Sequence, residues 1–339
     1  MRPPLFTEEE TMEGTRTLLK RVWAGKAESL PAIEWAPWWD ETVKRWEAEG
    51  LPKGLSDQQI GGQYGLDAHY QIWVDHRTDE CPKPAGEGAG ILKTAEEYHA
   101  LRDRMYSRRK IDGLVPRLHE IRKRQEADEC FAWVTLDGFF WHPRTLFGIE
   151  EHLYAFYDSG ELMHEINSDY AQFCAYAIEK ICDVLTPDFV TFAEDLSYNL
   201  GPMLSKEHFE KFLLPYYQKI VPMLHGYGIP VFVDTDGDVA PVVPWLLDAG
   251  VDGILPLERQ SMVDVCALRE QYPDLLMMGG FDKRTMHRGE EAMRAEFERI
   301  LPAIRAGKYL PSADHQTPPD VSMENYRIYV SLLKEYCNR

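Results

Sequence analysis

Six short apolar runs in the second two thirds of the chain each end in an acidic or imidazole side chain: FAWVTLDG, DFVTFAEDL, IPVFVDTDGD, GVDGILPLE, LLMMGGFD and KYLPSADH. Each is rich in β-branched or aromatic residues and bounded by Gly, Pro or Asp, without regular polar alternation. That pattern predicts strands buried on both faces. Between them lie helical stretches, among them SGELMHEINSDYAQFCAYAIEKICD, SKEHFEKFLLPYYQKIVPMLHGYG and VAPVVPWLLDAG. Strands alternating with helices pair in parallel, and ionisable groups gathered at the carboxyl ends of parallel strands are the layout of a (β/α)8 TIM barrel with its active site at that rim. The predicted mouth holds Asp137, Glu194, Asp195, Asp234, Asp236, Glu258, Asp282, Asp314 and His315.

The first third is less regular. Residues 7–24 have helical spacing with acids in the first turn and a stop at Gly25, giving an N-terminal helical extension over residues 1–30. LPAIEWAPWW then reads as the first strand, and the second falls within 65–75 (GLDAHYQIWVD). Residues 50–95, rich in Gly, Pro and charge, read as surface loops or a lid, and one helix is predicted from about 95 to 127. The 339 residues are read as a single barrel domain.

Composition narrows the function classes. A formal charge of −19, from 56 acidic and 37 basic residues, argues against nucleic acid, whose phosphates need clustered Lys and Arg. No apolar run reaches the roughly 20 residues of a membrane helix and no signal-peptide core is evident, so a soluble cytoplasmic protein is expected. The six cysteines form no CxxC pair or regular framework and read as reduced thiols.

Several residues stand out as chemistry. On a strand, Asp234 and Asp236 point to the same side, placing two carboxylates together at the rim, with capping or a salt bridge as the structural alternative. Glu194 and Asp195 end the preceding strand, and Glu194 is read as the one facing the mouth, as ligand, general acid or partner of a cationic group. Glu258 could join the same cluster or pair with Arg259. Trp35, Trp38 and Trp39, with Phe139, Phe140, Trp141 and Tyr198, could wall an apolar pocket or a cation cage, or simply pack. The turn WHPRTLFG offers His142 and Arg144, the arginine a candidate anchor for a substrate carboxylate.

TRTLLKRVWAGKAESLPAIEW, ELMHEINSDYAQFCAYAIEKI, GPMLSKEHFEKFLLPYYQKIVPML, VFVDTDGD and PPDVSMENYRIYVSLLKEY, in this order, resemble the uroporphyrinogen decarboxylase superfamily. That superfamily includes the heme-pathway decarboxylase and the cobalamin-linked methyltransferases. The resemblance runs from roughly residue 12 to 337. It breaks in two places. Where the decarboxylase carries arginines for its substrate's carboxylates, this chain has Glu34, Trp35, Trp38, Trp39 and Asp40, which argues against a polyanionic tetrapyrrole. Where the methyltransferases hold zinc with His-x-Cys-Gly and a later Cys, this chain has Asp234-Thr235-Asp236-Gly237, with His315 at or next to the last position.

The resemblance therefore implies a methyltransferase that moves a methyl group from a small O-, N- or S-methylated compound to a corrinoid carried on a partner protein. The predicted catalytic residues are Glu194, Asp234, Asp236 and Glu258, with Trp35, Trp38, Trp39, Phe140, Arg144 and Tyr198 binding substrate. Asp234, Asp236 and His315 are the predicted ligands of a divalent metal, with Zn, Mn or Fe suited to such a set. A decarboxylase or lyase of a small carboxylic acid, and a ligand-binding barrel without turnover, are the alternatives. Family barrels often pair as dimers, which extends to this chain as an expectation.

Overall fold

A computed structural model describes residues 13–338; the start of the predicted N-terminal helix, residues 7–12, lies outside the described residues. The sheet has seven parallel strands: β1 His69–Trp73, β2 Phe131–Asp137, β3 Phe189–Ala193, β4 Val231–Asp234, β5 Gly253–Leu255, β6 Leu276–Phe281 and β7 Tyr309–Ala313. They pair in chain order. All six apolar runs and the 65–75 segment become these strands.

Side-chain alternation explains why the runs are apolar on both faces. Phe131, Trp133, Phe189, Phe232, Leu255, Leu276, Met278 and Leu310 form one core, inside the curl of the sheet. Their neighbours Ala132, Val134, Leu136, Val190, Phe192, Val231, Val233 and Ile254 belong to a second core, beneath the surrounding helices. Helix Thr15–Trp23 presses Leu19 into the inner core and sets the Trp23 ring 5.2 Å from Phe232, so it covers the amino ends of the strands. The open end is the carboxyl end.

The predicted first strand is corrected. Residues 31–36 form no strand and make no ladder with β1 or β7, so seven paired strands, rather than eight, make up a TIM-barrel-like α/β fold. The reason is chemical. Pro31 and Pro37 bracket the segment and cannot donate. One backbone bond, from Asp67 N to Ala32 O (2.9 Å), is joined by side chains: the Glu34 carboxyl accepts from Ser312 Oγ (2.6 Å) and Ala313 N (3.2 Å), Trp35 N donates to Ser312 Oγ (3.2 Å), and Ala32 N donates to Asp67 Oδ2 (2.7 Å). Ile33, Trp35 and Ala36 still fill the inner core. Along this seam a cavity of about 640 Å³ opens between segment 34–38 and β1, lined in part by Trp35, His69, Gln71 and Trp73.

Burial pushes the Glu34 carboxyl up to about 8, against the hydrogen bonds that would lower it. The native state thus keeps a proton that the unfolded chain releases near 4.5, and stability falls as pH rises from about 4.5 to 8. We expect Glu34→Gln to flatten that slope, by on the order of 3 kcal/mol at pH 8.5, in urea midpoints compared at pH 5 and 8.5. An unchanged slope would mean that Glu34 is ionised in the folded protein.

Two further expectations are revised. The single helix over 95–127 is two, Ala95–Met105 and Arg108–Glu126, broken where Ser107 N turns to donate to His76 O (2.8 Å). The 50–95 stretch contains helix Asp57–Tyr64 and β1 rather than only loop. All six cysteines are free thiols, and among the described residues no helix is long and apolar enough to cross a membrane.

Candidate active site at the strand ends

The ladder fixes which strand ends meet. Asp137 is in register with Ala193, Ala193 with Asp234, and Asp234 with Leu255, so Asp137 and Asp234 top the same inner face two strands apart, about 10 Å between Cα atoms. Beneath them Thr135 Oγ1 and Thr191 Oγ1 lie 2.7 Å apart and Gln71 Nε2 donates to Thr135 (2.9 Å), a polar layer over the aromatic floor. Two groups of side chains sit above.

The first group is acidic. Asp234 accepts no side-chain hydrogen bond from the described residues, and burial, then Asp236 and Asp195, push its carboxyl well above the ordinary carboxylate range. Burial, with Glu258, Asp195 and Asp314 outweighing Lys283, pushes Asp236 up to about 7. Burial also raises Asp195 and takes Asp314 to about 6. His315 Nε2 lies 3.9 Å from Asp236 Oδ2, and burial, followed by Lys283, holds the imidazole below its ordinary value. Burial and the neighbouring acids thus favour the protonated form of both Asp234 and Asp236 at these strand ends.

Other predicted residues are built into the wall. Glu194 is wholly buried: Phe139 N (2.9 Å), Phe140 N (2.7 Å), Trp141 N (3.1 Å) and the Tyr217 hydroxyl all donate to it, so it fastens the turn after β2 rather than opening to the mouth. Gly138 is required there, because a Cβ would sit 2.0 Å from the Glu194 carboxyl carbon. Glu258 accepts from Gly237 N (3.1 Å) and Gln260 Nε2 (2.9 Å), holding the turn after β4. Gly237 has φ +82° and packs on the Tyr198 backbone, which ties that turn to the ribbon Ser197–Tyr198/Gly201–Pro202. Asp282 caps its own turn and pairs with Arg284.

The predicted substrate wall divides likewise. Trp35 donates Nε1 to Ala313 O (2.7 Å) and presents an edge to His315, ring centres 6.1 Å apart, which joins the acidic group to the seam cavity. Tyr198 is half exposed at the rim. Arg144 lies over the Trp141 ring (5.0 Å) and donates to Asp195 O (3.4 Å). Phe140 is fully buried against His152 and Phe156. Trp38 packs between Trp46 and Tyr326, and Trp39 is a surface residue before helix Asp40–Ala48.

The predicted metal ligands do not converge. Among the described residues the set of three His, Cys, Asp or Glu donors with all ligand atoms within 4.8 Å of one another is His76, Asp137 and His142, not Asp234, Asp236 and His315. With Asp and His in place of cysteines, the acidic group does not fit a thiolate zinc site. His76 Nε2 lies 3.0 Å and His142 Nδ1 3.8 Å from Asp137 Oδ2. Burial takes His142 down to about 3, and the neighbouring His142 and His76 rings, against burial, hold Asp137 below the usual carboxylate range. His76 was missed because it follows a short strand inside a Gly- and Pro-rich stretch that reads as loop. A His directly after the predicted second strand, 65–75, was the available signal.

The sequence profile of uroporphyrinogen decarboxylase (URO-D) matches residues 148–336. No curated protein matches the sequence. Among solved structures, a methyltransferase from Methanosarcina mazei is similar over 95% of this chain and 99% of its own, with TM-score 0.67 and 14% identity. A candidate vitamin-B12-independent methionine synthase from Listeria monocytogenes is similar over 91% and 97%, with TM-score 0.50 and 13% identity.

Proposed function

The chain belongs to the uroporphyrinogen decarboxylase family, and from that premise we propose that it is a methyltransferase taking a methyl group from a small O-, N- or S-methylated compound. A corrinoid on a partner protein would be the acceptor. The observation that carries the reading is the pair of proton-bearing carboxyls, Asp234 and Asp236, at the mouth. An ether, amine or thioether parts with its methyl group only when the leaving heteroatom is protonated or polarised. A carboxyl whose proton is retained near neutral pH would supply that proton to the departing heteroatom, and a corrinoid, when bound, would supply the nucleophile that takes the methyl carbon. Trp35 and the seam cavity would take the apolar body of the donor, and Arg144 and Tyr198 its polar edge. The full-length likeness to the Methanosarcina methyltransferase supports this reading at the level of fold.

The test is incubation of the purified chain with methanol, methylamines, methyl thioethers and methoxyarenes, each with cob(I)alamin. We expect protein-dependent consumption of cob(I)alamin and a demethylated product in the NMR spectrum for one donor class. Carbon dioxide released from a small carboxylic acid, with no demethylation of any donor, would replace this reading with a lyase.

A further inference from the structure

The far nitrogens of His76 and His142 are each held by a neighbour. Met105 O can only accept, so His76 Nδ1, 2.8 Å away, carries a proton, and the ring presents Nε2 to Asp137 Oδ2 at 3.0 Å. Tyr98 donates its hydroxyl proton to Asp169 (2.8 Å) and lies 3.0 Å from the Tyr106 hydroxyl. The Tyr106 oxygen lies 3.2 Å from His142 Nε2, which turns Nδ1 to the other side of the ring. That Nδ1 is buried without a hydrogen-bond partner, on a side chain with no exposure, and faces the same Asp137 oxygen.

Two ring nitrogens and a carboxylate oxygen thus converge, all within 4.8 Å of one another, each ring held by a partner on its far nitrogen. Far-side contacts of this kind are what hold metal-ligating histidines in place. We propose that His76 Nε2, His142 Nδ1 and Asp137 Oδ2 bind one divalent transition-metal ion. The donors are borderline nitrogen and hard oxygen, which selects Zn(II), Fe(II), Co(II) or Mn(II) over Mg(II) or Cu(I). Three protein ligands leave a coordination position for water or a substrate atom. The break between helices Ala95–Met105 and Arg108–Glu126 serves the site, since it delivers both Met105 O and the Tyr106 hydroxyl. The site is read without substrate, so it stands or falls separately from methyl transfer.

The full chain, freed of metal with a chelator and dialysed, is titrated with Co(II) and its visible d–d absorption followed, with Zn(II), Fe(II) and Mn(II) in competition. We expect one equivalent bound per chain. His142→Phe keeps the stacking on Tyr170 but removes the ligand and should weaken binding at least 100-fold, while Tyr106→Phe, which touches only the far nitrogen, should weaken it about 10–100-fold. Asp236→Asn should leave stoichiometry and affinity unchanged. A wild-type chain that binds none of the four ions at millimolar concentration overturns the proposal and leaves His76 and Asp137 as a buried ion pair. Metal kept by His142→Phe and lost by Asp236→Asn overturns it as well and moves the ion to the acidic group.

Discussion

Replacing Glu194 by alanine should be the most damaging single change to the stability of the fold, costing about 4 kcal/mol. The residue is fully buried and receives three backbone N–H groups and the Tyr217 hydroxyl. Each buried donor left without a partner costs about 1–3 kcal/mol, reduced where the turn can relax toward water. The turn cannot move far, because Gly138 N also donates to Ala193 O (2.6 Å) and His142 N to Gly138 O (2.9 Å). Glu194→Gln should recover only part of the loss, since its amide nitrogen would face donors. Chemical denaturation of the two variants checks this; a loss below about 1 kcal/mol for Glu194→Ala would return the carboxyl to the list of candidate catalytic groups.

The second large effect concerns turnover once a methyl donor is known. Asp234→Ala should lower kcat/KM by about 10²–10⁴-fold, the range for loss of a positioned general acid. Asp236 adds a pH signature. Its carboxyl, held up to about 7 by burial and by Glu258 and Asp195, carries a proton below that pH and loses it above. A proton donor works in the protonated form, so log kcat/KM should fall as pH rises through about 7. Asp236→Asn should remove that limb of the profile. A profile unchanged in Asp236→Asn would assign the limb to another group and exclude Asp236 as the acid.

Much of the fold was legible because parallel strands buried on both faces leave a strong mark: short β-branched and aromatic runs that stop at Asp or Glu. Strand-end position was legible for the same reason. Partnership was not. Glu194 and Asp234 end neighbouring strands with similar sequence surroundings, yet one is saturated by the N–H groups of a turn 54 residues earlier in the chain and the other has no such donors. The His76, Asp137 and His142 group depends on a helix break at Tyr106 that only tertiary contacts reveal. Segment 31–36 has the composition of a strand, but prolines bracket it and two carboxylates take hydrogen bonds that a ladder would have taken.

That seam alters how the wall responds to substitution. A wall of continuous main-chain ladder parts only by breaking several backbone hydrogen bonds together, whereas here the wall between β1 and β7 is laced mostly by individual side chains beside a cavity. Each of those fastenings can be removed by one substitution, so this is a place in the wall that a point mutation can loosen without unzipping a ladder.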